Sequence, residues 1–133
     1  MPTIIRRQVS NLMETRREVY VTTSWQVHSS VWMPPTDVYE TESSLIVKVE
    51  VAGMREEDFE VVVEEQTLMI RGVRGTDQTE RRAYHQMEIR SGKFEIAIGL
   101  PSGINLDEAS AEYNLGFLTI NFPKMQAKQI EVE

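Results

Sequence analysis

Apolar and polar residues alternate with a period of two through most of the middle of this chain. Leu45, Val47, Val49 and Val51 fall on one side of an extended backbone, and Lys48 and Glu50 on the other. Phe59, Val61 and Val63 alternate with Glu60 and Glu64, and Leu68 and Ile70 with Met69 and Arg71. Phe94, Ile96, Ile98 and Leu100 alternate with Glu95, Ala97 and Gly99; Leu118, Ile120 and Phe122 alternate with Thr119 and Asn121. Each run predicts a strand with one apolar face, as in an antiparallel sheet that covers a core on one side.

Turn residues divide these runs. Ser91-Gly92 predicts a tight hairpin between a strand at 84–90 and one at 93–100. Asn114-Leu115-Gly116 joins 109–113 to 117–122, where Gly116 supplies the positive φ that a bulged hairpin needs. Glu65-Gln66 joins 59–64 to 67–73 with a weaker turn signal, and Pro101-Ser102-Gly103 ends a strand. Short strands at this spacing, with no helical pattern among them, predict an all-β, antiparallel β-sandwich. One connection stands out. Arg74, Gly75, Thr76, Asp77, Gln78, Thr79, Glu80, Arg81, Arg82 and Ala83 form a polar stretch too long for a hairpin turn.

The ends read differently, giving a three-part division: 1–33, a sandwich at 34–123, and a tail at 124–133. In the first part Ile5, Val9, Leu12, Met13 and Arg16 recur at helical spacing, predicting a short amphipathic helix over 4–18. Ile4, Ile5, Leu12, Met13, Trp25 and Trp32 are apolar residues with no regular pattern to bury them in a domain core. Pro34-Pro35 marks the boundary. In the tail, Ile130 and Val132 flank Glu131 among polar neighbours. On an extended chain the pair projects to one side, about 6.6–6.8 Å apart, which suits docking into a sheet groove.

Composition narrows the function. A length of 133 residues fits one domain with tails, and the absence of cysteine removes disulfides, thiolate metal sites and cysteine nucleophiles. A net charge of −7 opposes binding to nucleic acid. No apolar run approaches the roughly 18–20 residues of a membrane span, and arginines follow Ile4-Ile5 where a secretory signal would stay apolar; stable membrane insertion is not expected, and the expected location is cytoplasmic.

Candidate chemistry is sparse. His28 and His85 stand far apart with no metal spacing, and no serine elbow or glycine-rich phosphate loop is present. The carboxylates Glu56, Glu57 and Asp58, then Glu64 and Glu65, then Asp107 and Glu108 cluster at turns and strand ends, as solvated edges do. Neither an enzyme nor a cofactor is expected. What catalysis leaves unexplained is the hairpin 111–118 and the terminal apolar pair.

Those two features carry a resemblance. Ala111, Gly116 and Leu118 stand in an Ala-x-x-x-x-Gly-x-Leu pattern that resembles the signature of the α-crystallin domain, the core of small heat-shock proteins. The likeness extends to Pro35-Thr36-Asp37-Val38-Tyr39-Glu40, Ala52-Gly53-Met54, Leu68-Met69-Ile70-Arg71-Gly72, Ser91-Gly92-Lys93-Phe94, Leu100-Pro101 and 118–124. Ile130-Glu131-Val132 resembles that family's Ile-x-Ile/Val tail motif.

The resemblance implies an immunoglobulin-like sandwich with flexible N- and C-terminal extensions, acting as an ATP-independent chaperone that holds unfolding client proteins. It implies a dimer in which the loop 74–83 crosses to the partner and adds a strand to its sheet. It implies that Ile130 and Val132 link dimers by docking in a groove of a neighbour. By position, that groove would lie between the strands carrying Val61 and Val63 and carrying Phe94, Ile96 and Ile98. It assigns client contact to the N-terminal segment. One departure is evident: strand 94–100 has no arginine where many relatives carry several, so an arginine-based interface contact there does not carry over. Two other readings remain open, a monomeric co-chaperone or adaptor of the p23 or CS type and an enzyme using an acid pair. Molecular size separates the first from the chaperone.

Overall fold

The alternating runs form seven strands: β1 (Thr36–Glu40), β2 (Ser44–Glu50), β3 (Phe59–Glu64), β4 (Thr67–Arg74), β5 (Gly92–Gly99), β6 (Ser110–Asn114) and β7 (Phe117–Pro123). The computed structural model describes residues 31–75, 80–126 and 130–133. The predicted helix over 4–18, the apolar residues Ile4, Ile5, Leu12, Met13 and Trp25, and the loop residues Thr76, Asp77, Gln78 and Thr79 lie outside the described residues.

The strands make two antiparallel sheets, one of four strands in the order β1-β2-β7-β6 and one of three in the order β3-β4-β5. Register places the apolar positions in rows across each sheet. In the three-stranded sheet, Val61 aligns with Ile70 and Ile96, and Val63 with Leu68 and Ile98. In the four-stranded sheet, Val47 aligns with Ile120 and Ala111, and Val49 with Leu118. These rows meet as a single core in which Val47, Val49, Val61, Leu68, Ile70, Ile120 and Phe122 are fully buried. Burying each such side chain contributes about 1.5–3 kcal/mol, which is why the alternation in sequence fixes the faces of the strands.

Gly72 sits opposite Phe94 because nothing larger fits. A Cβ at Gly72 would lie 2.5 Å from Phe94 Cζ and 2.9 Å from its Cε2. The Phe94 ring covers this gap and meets Phe59 and Trp32 edge to face, at centroid distances of 6.2 and 5.6 Å.

Three expectations are corrected. Trp32 has a core to enter: it is 8% exposed, and the packed domain begins there rather than at Pro34. Its backbone forms a parallel bridge with Phe94, the N–H donating to Lys93 O at 3.0 Å. The second correction follows from the first. Residues 84–90 form no strand, and β5 pairs instead with β4 in a register that sets Arg74 opposite Gly92. The edge of β5 that a strand 84–90 would need is held by Trp32, and Tyr84, Met87 and Ile89 stay exposed. The connection is therefore 75–91, longer than the expected 74–83, and Arg74 belongs to β4.

The third correction concerns the turns. Asn114 pairs with Phe117, so the loop is the two residues Leu115 and Gly116, with φ of 52° and 84°. Positive φ at both positions is the primed turn that matches strand twist, and no bulge is needed. Glu65 and Gln66 repeat this geometry at φ of 46° and 65°, despite the weak signal of their side chains.

Candidate functional site

The hairpin 110–118 is the best-defined of the sequence-selected features, and its residues are structural. Ala111 and Leu118 are both 2% exposed and face the core. Gly116 passes close to the β2–β3 connection: its carbonyl accepts from Val51 N–H at 2.9 Å, and an added Cβ would meet Ala52 Cβ at 3.2 Å. Tyr113, which sequence reasoning did not single out, ties the same connection down. Its hydroxyl donates to Val51 O at 2.8 Å and accepts from Met54 N–H at 3.3 Å, while its ring lies tilted against Phe59 with centroids 5.0 Å apart. These contacts join the edge of one sheet to the edge of the other, β6 to β3.

The expected tail groove is not between β3 and β5. Strand β4 lies between them, and Val61, Phe94 and Ile96 point into the core at 2% exposure or less. Val63 and Ile98 remain partly exposed at its margin. A concavity does open where β3 diverges from the run leading into β6. It measures about 490 Å³ and is lined by Val63, Gln66, Ile104, Leu106, Asp107 and Met125. Its floor is apolar because Val63 and Leu106 pack on the core rim and Ile104 is buried. Ile130 and Val132 are 77% and 95% exposed, so this chain's own tail does not fill it.

Loop 75–91 forms the second surface. Among its described residues, Met87 and Ile89 are 63% and 82% exposed. Arg82 donates to Glu80 and to the Tyr84 hydroxyl. Glu80 in particular raises the Arg82 guanidinium above its ordinary value. At the loop's base the Arg74 guanidinium reaches the carbonyl of Arg90. Beneath the returning limb lies a second concavity of about 460 Å³, bounded by Ala52, Gly53, Arg74, Tyr84 and Ile89.

Among the described residues, no three acidic or histidine side chains gather as metal ligands do. His85 is exposed. Asp58 accepts from Arg55 N–H at 3.2 Å and serves the short turn 56–58 that leads into β3. Among the described residues no helix is long and apolar enough to cross a membrane.

Comparison with known proteins agrees with this geometry. The Hsp20/alpha crystallin family matches residues 37–133. The chain is 32% identical over 105 residues to small heat shock protein C2 of Rickettsia felis, covering 76% of this chain and 68% of that one. It is 35% identical over 99 residues to the 18.0 kDa class I heat shock protein of Daucus carota, covering 73% of this chain and 62% of that one. The chain thus spans about two thirds of the length of these relatives. Among solved structures, a small heat-shock protein from Xylella fastidiosa superposes with a TM-score of 0.66 at 30% identity, covering 77% of this chain and 97% of that one. With the sandwich, the hairpin and the family match in agreement, the chain belongs to the Hsp20/alpha crystallin family.

Proposed function

We propose that this protein is an ATP-independent holdase that works as a homo-oligomer of dimers and keeps unfolding proteins from aggregating. The observation that carries the reading is where apolar surface remains. The sandwich buries its own core, yet Met87, Ile89, Ile130 and Val132 stay exposed beyond it. Exposed apolar groups bind apolar surface on other chains without a chemical step. Clients contact Ile4, Ile5, Leu12, Met13 and Trp25 of the N-terminal segment; the buried Trp32 is not part of that surface. The working location is the cytoplasm. Light scattering of a heat-labile client checks the activity. Equimolar protein is expected to suppress the signal equally with and without ATP; unchanged aggregation, or suppression only with ATP, would refute it.

The dimer forms through loop 75–91. An unpaired strand edge must be covered, blunted or paired. Strand β1 is an outer strand of the four-stranded sheet, with Asp37 and Glu40 along it and Val38 and Tyr39 about half exposed. The loop brings Arg81 and Arg90 with a stretch at 84–90 that makes no strand pairing among the described residues. Opposite charge and an open edge favour β1 of the partner as the acceptor. Arg74 and Gly92 already face each other, so replacing 75–91 by Asn-Gly closes a tight hairpin without moving either strand. That variant is expected to be a folded monomer in sedimentation, and a dimer of parent size would place the interface elsewhere.

A further inference from the structure

Three chain segments leave the sandwich at one place. The N-terminal segment departs from Trp32, and the loop departs from Arg74 and returns at Gly92. The Arg74 guanidinium sits among them. Arg74 donates from Nε to Arg90 O at 3.0 Å, from Nη2 to the same oxygen, and from Nη1 to Ala52 O at 3.4 Å. Its central carbon lies 4.5 Å from the centroid of the Trp32 ring. Trp32 in turn donates from its indole Nε1 to Gly92 O at 3.2 Å, and its own carbonyl accepts from Glu95 N–H at 3.4 Å.

The chemistry makes these contacts interdependent. A guanidinium is planar and holds its donors in a fixed fork, so stacking on an indole restrains its plane and thereby the direction of its N–H groups. The indole orients the fork, and the fork holds the carbonyl just before β5. In the other direction, the two donors to Arg90 O keep the cation over the ring. Lysine retains the charge but has neither the plane nor the fork.

We propose that Arg74 is a positioning residue that couples the N-terminal segment to the loop: when Trp32 leaves its seat, the returning limb at Arg90 loosens, and the reverse. Resting on the reading that the N-terminal segment meets clients and the loop meets the partner subunit, the coupling lets client engagement at one end weaken the dimer contact at the other. It explains why a tryptophan at the end of an otherwise separate segment is built into the sheet edge beside the loop.

Hydrogen–deuterium exchange on the full chain tests the coupling from both sides, without client. Trp32→Phe preserves the ring against Phe94 but removes the indole N–H and the better cation–π face. It is expected to speed exchange across 80–91 by roughly two- to fivefold, the value of one such contact. Arg74→Lys is expected to speed exchange across 31–35 by a similar factor of roughly two to five, although lysine keeps the charge. Peptides from β2 and β7 should keep the parent rate in both variants. If each substitution changes only its own segment, or neither changes the other, the guanidinium is not a shared latch. Because no client or holdase readout enters, a failed light-scattering assay leaves this result standing, and a failed exchange result leaves the holdase reading standing.

Discussion

Phe94→Ala is expected to destabilise the sandwich by about 3–5 kcal/mol, the range for removing a buried aromatic ring from a packed core. At 2% exposure the ring fills the space over Gly72 and supports Phe59 and Trp32 at its edges. Its loss leaves a cavity that strands on either side cannot close, because β4 and β5 are held in register along eight residue pairs. For a domain of this size the thermal midpoint should fall by more than about 12 °C. Gly72→Ala strikes the same spot from the other side by adding an atom where the ring already is. It should cost about 1–3 kcal/mol alone and much less in the Phe94→Ala background, where the ring is gone. Calorimetry on the two single variants and the double variant measures the coupling. Additive losses would show that glycine at 72 is not there to admit the ring.

How much of this was legible beforehand divides along a physical line. Alternation reports which face of a strand is buried, and the alternating apolar rows of β2, β3, β4, β5 and β7 face the core as the period-two pattern requires. It does not report which strand lies beside which. Residues 84–90 were expected to pair with β5, whose inner positions they could follow equally well by pattern. The competitor was Trp32, an isolated apolar residue in an irregular stretch, and a single bridge leaves no periodic trace. The same limit misplaced the tail groove. Val61, Phe94 and Ile96 are apolar and share a sheet, but sequence order could not tell that β4 fills the space between their strands. Nor does any local signal mark Ile104, Leu106 and Met125 as neighbours of Val63, since they come together only when the two sheets close. Turn geometry escaped for a different reason. Glu65 and Gln66 adopt positive φ without glycine, a cost that the flanking strand register imposes and that their side chains do not announce.

Replacing both Ile130 and Val132 by alanine is expected to convert the assembly to dimers while leaving the sandwich intact. Both side chains are exposed on their own chain, so the change removes nothing from the core. We place their acceptor on a neighbouring dimer, in the concavity lined by Val63, Ile104, Leu106 and Met125. Fully burying the pair there contributes about 3–6 kcal/mol. Ordering the few tail residues costs on the order of 1–2 kcal/mol each, so the net for one tail is close to zero and a single contact forms and breaks readily. Two tails per dimer change that balance, because once one is docked the second binds at the high effective concentration of an intramolecular step. An assembly held this way is stable as a whole yet exchanges subunits, which fits the proposed holdase. Mass photometry should show dimers for the double variant, and the thermal midpoint of the sandwich should move by less than about 2 °C, as expected for changes at exposed positions. Val63→Asp on the acceptor side sets a charge against the same apolar pair and should give the same dimers with the tail unaltered. Full-size oligomers from the tail variant would mean that another contact holds the dimers together. Dimers from the tail variant but not from Val63→Asp would keep the tail's role and move its acceptor away from β3.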